Sequence, residues 1–241
     1  MAGIPYIKND NGIPTLYVHD QPFFACSGEI HNSSSSNLTY MEEHVWPQLK
    51  GLNMNSVIVP LYWETIEPTE GEFCFDLLDG LIAQARENDM KLIFLWFGLW
   101  KNAESMYAPE WMKADTATYF RARKVSGEPL NTISPLCEAA VERDAAAFTK
   151  IMAHIRSVDE QETTVIMMQV ENEIGLLGTG CDYSEQAQAA FAQPVPAELS
   201  AGLGVNGTWK EAFGGDAEEY FMAYHFAKAV ETITAAGQKE Y

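Results

Sequence analysis

Gln169, Glu171, Asn172 and Glu173 place four hydrogen-bonding side chains within five residues, directly after the apolar run Thr164-Val165-Ile166-Met167-Met168. An apolar run opening into carboxylates and amides reads as a buried strand whose C-terminal end meets a polar site. Breaking a glycosidic bond takes two carboxyl groups flanking it, one of them kept protonated by its surroundings. Glu173, at the mouth of an apolar strand, suits the proton donor. Asn172 suits a contact to a sugar hydroxyl. Strict pleating would send the two side chains to opposite faces, so both reach one site only if the pleat breaks there. Glu171 and Gln169 would then point into the interior of a barrel.

Three more polar stretches follow apolar runs in the same way. They are Gly28-Glu29-Ile30-His31-Asn32, Tyr62-Trp63-Glu64-Thr65-Ile66-Glu67 and Trp100-Lys101-Asn102-Ala103-Glu104. Carboxylates and amides bind hydroxyls, and aromatic faces stack on sugar rings. Asn102 and Glu104 are therefore expected at a sugar. Tyr62, Trp63 and Glu64 are divided between lining the site and filling the core. Trp96 and Phe97 are expected in the core.

Such side chains need strand ends to carry them, and the pattern supplies four. Strands are expected over Phe23–Glu29, Ser56–Leu61, Lys91–Phe97 and Thr164–Glu171, alternating with helical patterns. Thr39-Tyr40-Met41-Glu42 has the form of a capping box. Pro47 should kink or split the helix that follows, and Gly51 should end it. Leu77, Leu78, Leu81, Ile82 and Ala85 form one helical face. Ser134-Pro135 reads as an N-cap for a helix carrying Val141, Phe148, Ile151, Met152 and Ile155. A last helix is expected from about Asp216, capped by Gly237. Long segments separate strand three from strand four and follow strand four.

The fold class is α/β, of the (β/α)8 barrel type, with about the first four βα units present. In such barrels catalytic groups sit at the C-terminal strand ends. Residues 1–241 are expected to form one unit, the N-terminal part of a catalytic domain.

Three stretches carry a more specific resemblance. Gly28-Glu29-Ile30-His31, Trp63 with Glu67-Pro68 and Gly71-Glu72-Phe73, and Gln169-Val170-Glu171-Asn172-Glu173-Ile174-Gly175 resemble the catalytic domain of family 35 glycoside hydrolases, the β-galactosidases of clan A. The match spans essentially the whole chain. Pro194-Val195-Pro196-Ala197-Glu198-Leu199 and the segment from Trp209 to Gly215 resemble a bacterial subgroup. The resemblance implies retaining hydrolysis of terminal β-galactosides, with Glu173 as general acid/base and Asn172 on the substrate. It also implies a sugar-contacting role for Asn102-Ala103-Glu104. Two positions depart from the family: Pro60 and Ile174 stand where many members carry Tyr. The family's nucleophile is a Glu at the end of a seventh strand, so the four strands counted here are not expected to include it.

The formal charge of −19 argues against a nucleic-acid partner, since phosphates are met by clustered Lys and Arg. No stretch reads as a signal peptide, a transmembrane helix or a basic membrane-binding face, so a cytoplasmic location is expected. Cys26, Cys74, Cys137 and Cys181 form no CxxC pair, and Cys26 is expected as a buried free thiol. No metal or other cofactor is expected. The expected partner is a β-galactoside or related oligosaccharide. One rival reading is a non-catalytic carbohydrate-binding half-barrel that associates with itself or with a missing C-terminal half. Another is a clan A β-glycosidase with a different sugar preference.

Overall fold

The computed structural model describes residues 4–241. The chain opens with an antiparallel meander of β1 (Tyr6–Asp10), β2 (Ile13–Val18) and β3 (Gln21–Pro22). Asn11 and Gly12, both at positive φ, make its first turn, as a tight hairpin requires. The parallel sheet follows with β4 (Ser27–Glu29), β5 (Ser56–Tyr62) and β6 (Lys91–Phe97). An antiparallel hairpin of β7 (Arg121–Arg123) and β8 (Pro129–Ile133) precedes the last sheet strand, β9 (Val165–Val170). The sheet order is β4-β5-β6-β9, all parallel and in chain order. This is the arrangement of four consecutive βα units of a (β/α)8 barrel.

The sheet has two unlike faces. Val57, Val59 and Leu61 of β5, with Leu92, Phe94 and Trp96 of β6, pack with Leu78, Leu81, Phe148 and Ile151 from the helices Asp76–Glu87 and Glu138–Asp159. On the other face Tyr62, Leu95 and Phe97 form a small cluster with Ile58 and Tyr107. Met167 of β9, on that second face, is 41% exposed. The last helix, Ala217–Gly237, lies against Glu138–Asp159.

Several expectations change. The first strand is short because Phe23–Cys26 crosses from the meander to the sheet. Phe23 donates its N–H to Leu16 of β2, while Cys26 pairs with Asn55. Phe24 is 86% exposed, and Cys26 is an exposed free thiol rather than a buried one. The helix after the first strand is capped by Asn37, whose side chain accepts from the Tyr40 N–H. It widens to a π turn over Met41–Val45 just ahead of Pro47, which cannot donate to a regular ladder. The helix expected at Ser134 starts at Glu138 instead; the Ser134 hydroxyl donates to Asp182 at 2.6 Å and accepts the Leu136 N–H at 3.2 Å, ahead of the helix proper. Gly237 is the last residue of its helix rather than a cap. A Cβ there would lie 2.3 Å from the Phe148 ring, so the position serves close helix approach.

Candidate active site

The end of β9 builds the site. Glu171 (φ +63°) and Glu173 (φ +52°) both adopt the left-handed backbone that side chains with a Cβ disfavour by about 1–2 kcal/mol each. The regular pleat is thus broken at the strand end. Contacts from the loop after β6 hold it. Glu171 accepts from the N–H groups of Leu99 (3.0 Å) and Trp100 (2.7 Å). The Asn172 N–H reaches the Trp100 carbonyl at 3.3 Å, and the Ala103 N–H reaches the Glu173 carbonyl at 2.7 Å. Gln169 donates to the Asn172 side-chain oxygen at 2.8 Å and to the Glu171 carbonyl at 3.1 Å.

Glu171 therefore does not point into the barrel interior, as the sequence suggested. Its carboxyl turns toward the helix layer and is 2% exposed, beside the equally buried Asp144 of the helix Glu138–Asp159. Burial, and then the neighbouring Asp144, push the Glu171 carboxyl well above the usual carboxylate range. Burial also raises Asp144.

Glu173 turns the other way. Its side chain is 59% exposed and pairs with the Nζ of Lys101. Lys101 is buried, and its ammonium sits 5.3 Å from the centre of the Phe97 ring. Phe97 packs in turn on Tyr62 and Tyr107. The candidate acid/base thus stands beside the small cluster on the face of the sheet away from the helices.

The other candidates divide. Asn102 is exposed at φ +56°, and Ala103 follows at φ +57°, so the loop turns sharply beside Glu173. Glu104 accepts from Asn131 at 3.3 Å and lines a concavity of about 200 Å3 with Met106, Lys113 and Arg121. Glu64 lies 3.5 Å from Lys113, so it approaches the same concavity. Tyr62 is 2% exposed and commits its hydroxyl to the Asn32 carbonyl and to Ser35. Burial pushes that hydroxyl up to about 12. Trp63 is fully buried, donates to Glu67 at 2.8 Å and packs edge-on against Trp111. Tyr62 and Trp63 are packing residues that support the site; neither offers a free face to a ligand.

Sequence reasoning gave no role to Lys101 or Asp144. Asp144 carried a signal: it falls on the helix stripe of Val141, Phe148, Ile151 and Ile155, where an unpaired carboxylate is costly. Among the described residues no group of three or more His, Cys, Asp or Glu could hold a metal ion. No described helix is long and apolar enough to cross a membrane.

No curated protein matches the chain. Solved structures share its fold at low identity. The β-galactosidase from Bacillus circulans sp. alkalophilus aligns with a TM-score of 0.65 and 13% identity, over 89% of this chain and 35% of that one. The cold-adapted β-galactosidase from Rahnella sp. R3 gives 0.63 and 14%, over 90% and 34%. The catalytic domain of β-amylase from Paenibacillus polymyxa gives 0.55 and 13%, over 89% and 62%. The chain spans about a third of the length of the two β-galactosidases. The family model described as "Glycosyl hydrolases family 35" matches residues 15–238, nearly the whole sequence, and the chain belongs to that family.

Proposed function

We propose that this chain supplies the acid/base side of a retaining β-galactosidase, with Glu173 as general acid/base and Asn172, Asn102 and Glu104 on the sugar. Glu64 belongs to the rim of the same site. The observation that carries the reading is the pleat break at Glu171. It turns Asn172 and Glu173 out at a strand end and ties Glu173 to the Asn102–Ala103 turn. In the resting arrangement the Lys101 ammonium occupies the Glu173 carboxylate. Substrate must displace it before Glu173 can protonate a leaving group. The second carboxyl that double displacement needs comes, on the family resemblance, from a later strand than β9.

Glu173→Gln should lower turnover of glycosides with poor leaving groups by about 10²–10⁴, and of activated aryl glycosides far less. The assay uses a polypeptide carrying this chain together with the later strands. Wild-type turnover by the variant on a poor leaving group would remove Glu173 from the mechanism.

One observation favours a second reading, a carbohydrate-binding half-barrel that pairs with another half. β4 and β9 each have a single partner in the sheet, and open strand edges invite pairing. A chromogenic galactoside assay of this chain, with its mass measured in solution, separates the two. Turnover by a monomer would overturn the claim that the nucleophile lies on a later strand.

A further inference from the structure

Two carboxyl groups from distant parts of the chain meet beneath the site, at the turn that follows β6. Asp144 Oδ2 and Glu171 Oε1 accept the same Leu99 N–H, at 2.9 and 3.0 Å. Gly98 permits the approach: a Cβ there would lie 2.3 Å from the Asp144 oxygen and 2.5 Å from the Glu171 oxygen. The outer oxygens have their own donors. Asp144 Oδ1 accepts from Trp96 Nε1 at 2.7 Å, and Glu171 Oε2 accepts from the Trp100 N–H at 2.7 Å. Among the described residues neither carboxyl has a Lys, Arg or His partner within ion-pair distance. Two like charges this close, out of water and without a cation, cannot both persist.

We propose that Asp144 and Glu171 hold one proton between them, a carboxylic acid donating to a carboxylate, and that this shared proton positions the Asn172–Glu173 turn. Without it the two inner oxygens would repel and Glu171 would leave the Leu99 and Trp100 N–H groups, which hold its left-handed backbone. Glu171 is thus a positioning residue for Glu173. That second half rests on the reading of Glu173 as acid/base; the shared proton does not.

The surrounding charges leave the pair to itself. The helix that carries Asp144 also carries Arg143, which turns to Glu67 (3.2 Å) and Glu70 (3.1 Å). Glu67, from the segment after β5, adds a weak repulsion to Asp144. From the loop after β6, Lys101 is spent on Glu173. On the β6 side the pair meets the Trp96 indole. Burial and mutual repulsion keep the pair protonated above the ordinary carboxyl range. The folded chain therefore holds a proton that the unfolded chain releases. The resulting stability is complete below the ordinary carboxyl range and is lost as pH rises toward the raised value.

Infrared spectroscopy of the whole chain at neutral pH tests the shared proton without any activity. The carbonyl stretch of an un-ionised carboxyl should be present in wild type and gone in Glu171→Gln. The melting temperature should fall with rising pH in wild type and run flat over the same range in Asp144→Asn, whose amide donates in place of the proton. A wild-type spectrum with no such stretch, or parallel pH slopes, overturns the shared proton even if Glu173→Gln still abolishes turnover. For the positioning role, measured on a polypeptide that also carries the later strands, kcat should fall about 100-fold in Glu171→Ala, as for a reacting group displaced by about 1 Å, and survive in Asp144→Asn. If Glu171→Ala does not fold, Asp144→Asn decides alone: a kcat loss equal to that of Asp144→Ala overturns the role.

Discussion

Glu171 and Glu173 are the same residue type two positions apart, and both sit on left-handed backbone. One side of the chain end they share is sealed, and the other is open. Glu171 faces the helix layer, where two backbone N–H groups and a second carboxyl meet it out of water. Glu173 faces the opposite side, more than half exposed, with one ammonium as its partner. The sealed side fixes geometry, and the open side meets solvent. On the proposed reading of Glu173 as acid/base, the chain holds that carboxyl still without burying it by burying the one two positions earlier.

The sharpest way to break this contrast is to truncate Glu171. Glu171→Ala leaves the Trp100 N–H buried without an acceptor, leaves the Leu99 N–H to Asp144 alone, and removes the anchor of a strained backbone. It should cost about 3–5 kcal/mol, read as a fall in the urea midpoint with unchanged slope. If that cost is under about 1 kcal/mol, the sealed side does not hold the turn. Gly98→Ala approaches the same place from the backbone. Its methyl group would enter the space held by both carboxyl oxygens and the Trp96 indole nitrogen, with an expected loss of about 1–3 kcal/mol. A substitution at Gly180, where a Cβ meets nothing, should be near neutral and serves as the control.

The sequence showed the strands better than it showed which way their ends turn. Lys91–Phe97 is found as expected, because a run covered on both faces is apolar at every position after Lys91. The run Phe23-Phe24-Ala25-Cys26 looked similar but is largely exposed, because it is a crossing segment whose backbone bonds go to Leu16 of the meander at one end and to Asn55 beside the sheet at the other. The β7–β8 hairpin was missed for a different reason: Arg-Ala-Arg is too short for its alternation to be read. At the site, Asn172 and Glu173 were legible as a polar strand end. The direction of Glu171 was not, since it is set by N–H groups some seventy positions earlier in the chain. Trp63 shows the limit of residue type. An aromatic beside a candidate sugar site reads as a stacking platform, but its indole is spent on Glu67.

That assignment can be checked. Trp63→Phe removes the donor to Glu67, which is 2% exposed, while keeping a ring against Trp111. Stability should fall by about 1–3 kcal/mol, with KM for a galactoside unchanged. A raised KM with intact stability would return Trp63 to the sugar.

The smallest expected effect tests the open side. Glu173 and Lys101 form an ion pair whose carboxylate is mostly in water, so solvent and salt screen it. In a double-mutant cycle of Glu173→Gln and Lys101→Met, the coupling should be under about 1 kcal/mol and should shrink further in high salt. The matching cycle of Glu171→Gln and Asp144→Asn should give about 1–3 kcal/mol, insensitive to salt, because those groups share a proton out of reach of ions. Equal couplings would mean that the two sides of the β9 end are alike in strength. Glu173 would then be held by Lys101 as firmly as Glu171 is by its partners, and a carboxylate held that firmly has no freedom to take or give a proton.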